Sequence, residues 1–483
     1  MLIAQVRNDD SILTFLYMKL LIIALYFSAI LIIGVIASRR SKSHKDFVLG
    51  NRGFNAVTTA LGAGAADMSG WLMMGLPGVV YLYGVSEIWL PIGLSIGAFL
   101  NWQFVARRLR VETQKYGNSL TISSYFANRF DDKSGMLKIA IGVIISIFLI
   151  IYIASALVAL SLLIKIFTNF EYFYCLLFSA IFVLIYTAIG GFTVINLVDV
   201  IQGSLMLFTL LLVPIAIIIH QGGILNTYNE FQALHLNMSN PFSNLDIISI
   251  ISLLGWGLGY FGQPHILMRF MAIKQSKILK TAQRICMSWM IMSLIGAFCV
   301  GLFGNLLFNQ NDGINPETIF LLSADKLFPD WLAGIVLAAV LSAIMSTISA
   351  QLHAVACSLT EELMPKIWQR FSKIWITRIV MILITVVAVV YAYNPKNTVL
   401  SLVSLAWAGL GSTLGPVILF SLYSRKITSQ SVLYGMIVGG LTTLIWHSLK
   451  VHGGIFMLYE IIPGFLLASI VITITKIKSA QKR

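Results

Sequence analysis

Charged residues are scarce in this chain: only 11% of its 483 residues are Asp, Glu, Lys or Arg, whereas soluble domains average about 25%. Hydrophobic residues make up 58% of the chain, and its mean hydropathy is +0.88. This composition excludes a soluble enzyme and a disordered protein. Long polar stretches are also lacking, since the segments 107–135, 221–245 and 309–330 are each too short for a core of their own. The sequence predicts a single membrane domain over residues 1–483.

Cysteines and catalytic motifs are equally sparse. The four cysteines, Cys175, Cys286, Cys299 and Cys357, lie in apolar segments and form no CxxC pair, so we interpret them as small buried hydrophobic side chains. The chain has no GxxxxGK[ST] phosphate loop, no HExxH zinc motif and no GxSxG motif. His353, which lies in an apolar segment, is therefore not part of a catalytic motif. We expect neither an enzyme, nor a cofactor, nor a transition-metal site.

Basic residues outnumber acidic ones, and the net charge is +14. In a soluble protein this excess would suggest nucleic-acid binding. Here the lysines and arginines lie in alternate short loops between apolar segments, which is the usual pattern of membrane topology. Their positions predict an N-terminus outside, a C-terminus inside and an odd number of spans. The segments predicted to lie inside are 39–52, 107–133, 269–284, 366–373, 425–426 and 476–483.

Long apolar segments dominate the chain, and a helix needs about 20 such residues to cross a membrane. The first segment ends at Arg39 and Arg40 without a small-residue cleavage site, so we expect a span rather than a signal peptide. We predict an all-α polytopic protein with about thirteen transmembrane helices. They are 14–38, 54–81, 86–106, 136–167, 171–189, 192–220, 246–271, 284–308, 331–360, 374–393, 398–423, 430–449 and 455–476.

Two of these spans contain signals for a helix break. Span 2 reads DMSGWLMMGLPG over 67–78, and span 7 reads GWGLGYFGQPH over 255–265. Glycine and proline weaken the helical hydrogen-bond ladder, and freed backbone groups are tolerated in a membrane only where they line a protein cavity. Two broken spans in corresponding positions are typical of transporters with inverted repeats. The alternative is close helix packing through small residues.

Two carboxylates lie within predicted spans. Asp67 lies at the break of span 2, and a carboxylate near mid-membrane costs about 2.5–3.5 kcal/mol on insertion scales. Such a group normally serves an ion or a transport pathway, although it could instead bond to its own broken helix. Asp199 in span 6 gives a weaker indication, because it could lie near the cytoplasmic end.

Hydroxyl and aromatic side chains cluster in the same spans. Ser342, Ser346 and Ser349 share one face of span 9. These hydroxyls could bond to carbonyls of their own helix, or they could complete an oxygen cage for a monovalent cation. Trp71, Trp256 and Tyr260 adjoin the two breaks, and Tyr152 lies within span 4. Together they would suit the wall of a pocket for a small zwitterion, although a sugar would also bind to such rings.

These strings resemble the sodium:solute symporter family, most closely its bacterial members that carry proline. The similarity rests on the span 2 and span 7 strings, on MSTISAQ at 345–351, on GGF at 190–192 and on LGSTLGP at 410–416. It runs from about residue 16 to 476. It implies a core of the leucine-transporter type with two inverted five-helix repeats, 54–220 and 246–423. Residues 14–53 would add one helix and the first inner loop, and 430–476 would add two further helices.

The resemblance also implies a function and a set of site residues. The chain would be a symporter that imports L-proline with Na⁺ as the co-transported ion, in the cytoplasmic membrane of a bacterium and without an obligate protein partner. The sodium ligands would be the carbonyls of Ala65, Met68 and Ala343 and the hydroxyls of Ser346 and Thr347. Ion coupling would involve Asp67, Ser69, Gly70, Arg52 and Asp199. The substrate pocket would involve Trp71, Tyr152, Trp256, Tyr260 and Pro264.

Some alternatives remain open at this point. The same fold could carry another amino acid, pantothenate or a sugar, and protons could replace sodium as the coupling ion. An intramembrane enzyme and a channel are the alternatives from other functional classes.

Overall fold

The computed structural model of the chain describes residues 9–39, 43–132, 134–168, 170–234, 238–243, 245–363, 372–394 and 399–481. In these ranges all the secondary-structure elements are helices. The β pairing there is limited to one isolated bridge between Phe54 and Ile273. Nine helices in the described residues are long and apolar enough to cross a membrane, and a bent helix pair makes ten. The prediction of an all-α polytopic membrane protein is therefore confirmed.

In the first half of the chain, the described residues form ten α-helices, several of them joined by short 3₁₀ or π turns. They are α1 (Asp9–Ser38), α2 (His44–Leu49), α3 (Ala56–Asp67), α4 (Leu76–Tyr83), α5 (Trp89–Leu100), α6 (Arg107–Lys115), α7 (Ile122–Arg129), α8 (Met136–Thr168), α9 (Tyr172–His220) and α10 (Ile224–Leu234).

In the part of the second half that the structure describes, nine more α-helices follow. They are α11 (Ile247–Gly255), α12 (Pro264–Ala272), α13 (Leu279–Gly304), α14 (Ile319–Leu327), α15 (Asp330–Leu363), α16 (Lys373–Ala392), α17 (Val399–Tyr423), α18 (Ser429–Leu449) and α19 (Ile461–Gln481). Across the whole fold, several helices match the predicted spans within a few residues, α8 and α15 among them. The span predicted at 455–476 begins later, because Gly453 and Gly454 adopt positive φ and a 3₁₀ turn follows them.

The long helix α9 consists of two helices joined at Gly191, where φ is 59° and ψ is −152°. This left-handed φ is readily adopted only by glycine. A Cβ atom at this position would also lie 2.6 Å from the carbonyl oxygen of Phe47. Gly191 thus separates the spans predicted at 171–189 and 192–220.

Burial divides the helices into a centre and a periphery. The apolar segments of α8, α15 and α17 are largely buried inside the protein, whereas α1 and α16 expose large aliphatic side chains such as Leu25 and Val390. A helix that is apolar all round and exposed is typical of a lipid-facing position. The broken segments lie against this buried centre, and both contact α17.

Charged residues at the helix ends only partly follow the predicted topology. Arg269, counted with the inner basic residues, is buried in α12, within the span predicted at 246–271, and is not a loop residue. Lys19 in α1 is also buried, and its Nζ lies 2.5 Å from Oδ1 of Asp325 in α14. Several basic residues of the segments predicted to lie inside are not among the described residues, including Arg40, Lys133, Lys366 and Arg370. The span orientation therefore stays a prediction.

Candidate functional site: two interrupted spans

The first break follows Asp67, where α3 ends. Met68 leaves the helical region with φ −81° and ψ 80°, and the chain resumes as a π-helical turn over Trp71–Gly75 before α4. The amide of Ser69 donates to the carbonyl of Asp67 at 3.0 Å, so it is not available to the carbonyl of Ala65 four residues earlier. The interruption predicted for span 2 is present, and it frees a backbone oxygen.

The second break separates α11 from α12. A 3₁₀ segment covers Trp256–Gly262, Gln263 is extended, and Pro264 starts α12. The two arms are bent by 49°. Proline has no amide hydrogen and is favoured at the first turn of a helix, so the new helix starts where the old hydrogen-bond ladder cannot continue. The interruption predicted for span 7 is present as well.

Side-chain hydrogen bonds, one of them from another helix, satisfy carbonyls of the second break and tie it to α17. The indole nitrogen of Trp407, in α17, donates to the carbonyl of Trp256 at 2.8 Å. The side-chain amide of Gln263 donates to the carbonyls of Gly259 at 3.2 Å and of Trp407 at 3.3 Å. Backbone groups freed inside a membrane need such partners. The broken segment of span 7 is thus held by α17.

Four of the five predicted sodium ligands lie together between α3 and α15. The hydroxyl of Ser346 donates to the carbonyl of Ala65 at 2.7 Å and to that of Ala343 at 3.1 Å. The hydroxyl of Thr347 donates to the same Ala343 carbonyl at 3.3 Å. All four residues are fully buried, as is Met68, the fifth predicted ligand. The structure thus places the carbonyl freed at the first break beside the hydroxyls of α15.

The other hydroxyls on this face of α15 bond within their own helix. Ser342 donates to the carbonyl of Ala338 at 2.7 Å, and Ser349 donates to the carbonyl of Ser346 at 2.9 Å. Such local bonds were the alternative for the whole cluster. They account for Ser342 and Ser349, but not for Ser346, which reaches the first break.

Asp67 bridges the two breaks rather than bonding to its own helix. Its Oδ2 accepts a hydrogen bond of 2.5 Å from the hydroxyl of Tyr260, and both side chains are buried. Its Oδ1 is buried without a hydrogen-bond partner. Among the ion pairs of the described residues, none includes Asp67. A buried carboxylate without a counter-charge is costly, so this position favours the arrival of a cation.

The predicted pocket residues are brought together only in part. The rings of Tyr152 and His265, the neighbour of Pro264, are 6.2 Å apart in an edge arrangement. Trp256 instead stacks on Tyr459 with centroids 4.9 Å apart. Trp71 is buried directly after the first break. The aromatic residues therefore line both breaks, and their ring contacts do not join them into one cluster.

Two further predicted residues, Asp199 and Arg52, form buried polar contacts. Oδ2 of Asp199 accepts from Nη2 of Arg269 at 2.8 Å, and each side chain is 1% exposed. Arg52, just before α3, donates to the carbonyls of Met271 at 2.6 Å and Ser119 at 2.7 Å. Burial, followed by the charge of Arg110, lowers the pKa of Arg52 to about 10. It therefore stays charged at neutral pH and ties the foot of α3 to the end of α12.

A profile of the sodium:solute symporter family matches residues 47–439. The chain belongs to the sodium:solute symporter family. The sodium/proline symporter of Escherichia coli strain K12 is 43% identical over 459 residues, which cover 93% of this chain and 91% of that relative. The high-affinity proline transporter PutP of Bacillus subtilis strain 168 is 42% identical, with coverage of 90% and 93%. The family resemblance stated from the motifs is therefore confirmed.

A solved structure shares the fold of this symporter-family chain. A Na⁺-coupled sialic acid symporter, solved in a substrate-bound outward-open state, superposes with a TM-score of 0.80 at 20% identity. The match covers 95% of this chain and 97% of that one. At this identity the similarity concerns the arrangement of helices and not the solute.

The sequence reasoning missed several residues of the site. Trp407 and Asn101 contact the second break from other spans, and Arg269 pairs with Asp199. Gln263 and His265 lie inside the quoted span 7 string but were not selected. A polar residue within an apolar span, as at Asn101, was the available signal.

Proposed function

We propose that this chain is a sodium-coupled symporter that imports L-proline by alternating access. The observation that carries the proposal is the bond between Ser346 of α15 and the carbonyl that the first break frees at Ala65. Hard cations prefer oxygen ligands of this kind. Relatives that carry the name of proline transporters, at 42–43% identity over at least 90% of both chains, support the choice of solute.

The topology we propose has thirteen spans, with the N-terminus outside and the C-terminus inside the cytoplasmic membrane. Two long helical stretches each contribute two spans: α9, divided at Gly191, and Trp71–Lys115, which holds the second part of span 2 and all of span 3. With the bent pair and α19, the nine candidates then become thirteen. The inverted repeats would be 54–220 and 246–423, with 14–53 and 430–476 as additions.

In this proposal sodium binds between the first break and α15. Its ligands are the carbonyl oxygens of Ala65, Met68 and Ala343 and the hydroxyl oxygens of Ser346 and Thr347. An ion there draws α3 and α15 together and fixes the backbone of Ser69 and Gly70. Asp67 transmits this ordering to Tyr260, since the two side chains already share a hydrogen bond.

Proline binds at the two breaks in this proposal, against the aromatic residues Trp71, Tyr152, Trp256 and Tyr260 and beside Pro264. Proline is a zwitterion with a small apolar ring, so its ammonium suits aromatic faces and its carboxylate suits a freed helix N-terminus. The cavity at Asp67 measures about 10 Å³, room for about one water molecule. Proline entry therefore requires the surrounding spans to move apart.

Arg52 and Asp199 belong to the inward half of the cycle in this proposal. Arg52 holds the foot of α3 against the end of α12, so inward opening must break its carbonyl contacts. Sodium leaving the cage would pass Asp199, whose carboxylate is paired with Arg269.

The electrochemical gradient supplies enough energy for uptake. One positive charge that crosses about 100 mV releases about 2.3 kcal/mol, and a tenfold sodium gradient adds about 1.4 kcal/mol. Together these terms allow roughly 500-fold accumulation of proline at a one-to-one stoichiometry.

Uptake by the purified protein in liposomes tests the proposal. Labelled proline should accumulate when a sodium gradient is imposed, and replacing external sodium with choline at fixed pH should abolish accumulation. Competition by a panel that contains other amino acids, pantothenate and sugars identifies the preferred solute. Uptake that persists in choline would contradict sodium coupling, and stronger competition by another solute than by unlabelled proline would contradict the choice of proline.

A further inference from the structure

Asn101 lies at the point where span 3 meets the second break. It opens a π-helical turn, Asn101–Ala106, that follows α5, and its side chain is 1% exposed. Its amide nitrogen donates to the carbonyl of Tyr260 at 3.0 Å. In an α-helix this carbonyl would accept from the residue four positions later, which is Pro264 and has no amide hydrogen. Asn101 thus supplies the donor that Pro264 lacks.

The packing of α5 against span 7 leaves little freedom at this contact. Gly93, Gly97 and Asn101 recur every four residues and therefore share one face of the helix. A Cβ atom at Gly97 would lie 2.1 Å from the carbonyl oxygen of Gly257. The two backbones touch at the glycines, and Asn101 extends the same contact face by one turn into the broken segment.

The contact continues to the first break. Tyr260, whose carbonyl accepts from Asn101, donates its hydroxyl to Asp67. All three side chains are buried, and they line the same cavity of about 10 Å³. Oδ1 of Asn101 and Oδ1 of Asp67 are both buried and without hydrogen-bond partners. Two hydrogen bonds therefore link the three spans through Tyr260: span 3 holds its backbone carbonyl, and its side-chain hydroxyl reaches span 2.

We propose that Asn101 is a positioning residue that holds Tyr260 in place for Asp67 and so couples the two breaks. The inference rests on the proposed function, since sodium-linked ordering of the first break is what Asn101 would transmit to the substrate pocket. Asn101 need not touch sodium or proline. Its effect on sodium passes through the hydroxyl of Tyr260.

Asn101→Leu tests the proposal, because leucine keeps the side-chain volume and removes the donor. Asn305→Leu is the matched control: Asn305 is also buried, and it donates at 3.0 Å to the carbonyl of Tyr81, away from the breaks. Binding of labelled proline to the detergent-purified protein is measured against sodium concentration. We expect Asn101→Leu to raise the half-saturating sodium concentration about tenfold and Asn305→Leu to leave it within about twofold.

A double-mutant cycle separates positioning from a general loss of packing. In a Tyr260→Phe background, the hydroxyl that links span 7 to Asp67 is already gone. Asn101→Leu should then change the half-saturating sodium by less than about twofold. A tenfold effect in both backgrounds would show that Asn101 acts independently of Tyr260 and would overturn the proposal.

Hydrogen–deuterium exchange tests the positioning role of Asn101 independently of the proposed transport function. Without substrate, the amides of 256–263 should exchange about tenfold faster in Asn101→Leu than in the wild type or in Asn305→Leu. Unchanged exchange in Asn101→Leu would overturn the positioning role even if the wild type binds proline with sodium. A wild type that shows no sodium-stimulated proline binding, despite the expected exchange pattern, would instead contradict the proposed function.

Discussion

Replacing Ser346 by alanine should affect sodium binding more strongly than it affects folding stability. The change removes one proposed sodium ligand and the donor that reaches the carbonyl of Ala65 at 2.7 Å. In the sodium-bound state the missing hydroxyl deprives the buried ion of one polar contact, and the loss of such a buried polar contact costs about 1–3 kcal/mol. At about 1.4 kcal/mol for each factor of ten, the half-saturating sodium concentration should rise roughly 5- to 150-fold.

Ser342→Ala provides the matched control for this prediction. Ser342 is equally buried on the same face of α15, one turn earlier, and its hydrogen bond is also 2.7 Å long. That bond stays within the helix, to the carbonyl of Ala338, so its loss frees no group at the first break. We expect the half-saturating sodium concentration of Ser342→Ala to change by less than about twofold.

The assay measures initial rates of proline uptake into liposomes at fixed proline and varied external sodium, with the amount of inserted protein determined for each variant. Ser346→Ala should approach the wild-type maximal rate at high sodium, because the lost interaction concerns ion binding. Equal sodium shifts in both serine variants, or a lower maximal rate with no shift, would refute the assignment of Ser346 to the ion site.

Three further predictions concern other residues of the site. Asp67→Asn should abolish sodium-stimulated proline uptake while the protein still inserts into the membrane; normal uptake in that variant would remove Asp67 from ion coupling. Trp256→Ala should raise the half-saturating proline concentration about twofold to fivefold, since an ammonium over an aromatic face contributes about 0.5–1 kcal/mol; an unchanged value would remove Trp256 from the pocket. Asp199→Asn and Arg269→Gln should each lower the thermal midpoint in detergent, because each leaves a buried charge unpaired at a cost of about 3–5 kcal/mol. The double variant should recover part of that loss, and additive losses would contradict the ion pair.

The spans were the easiest part to predict from the sequence, because a membrane requires each crossing segment to be apolar and to satisfy its own backbone. The extents of α8 and α15 agree with the predicted 136–167 and 331–360 within a few residues. The later start of α19 shows where this reasoning fails. Residues 455–457 are apolar, yet they follow the positive φ of Gly453 and Gly454 and lie in a 3₁₀ turn.

The breaks were predictable for a local reason, whereas their partners were not. Glycine and proline mark where a helical ladder fails, but they do not indicate which distant side chain supplies the missing donor. Asn101 and Trp407 are about 150 residues from the carbonyls that they bind, in opposite directions along the chain. The burial of Arg269 was unpredictable for the same reason. It adjoins the lysines after α12, and only the fold brings Asp199 to it from 70 residues away.

The strengths of the contacts indicate which of them can change during each transport cycle. The driving energy is about 3.7 kcal/mol per sodium ion under the conditions considered above. Single hydrogen bonds such as Ser346 to Ala65 are worth about 0.5–1.5 kcal/mol net, so a cycle can break and remake several of them. Separating Asp199 from Arg269 would instead leave two buried charges without partners, at a cost that exceeds the driving energy. In the proposed cycle, sodium that passes Asp199 would therefore share the carboxylate with Arg269, while the hydroxyl contacts between α3 and α15 would open and close around the ion.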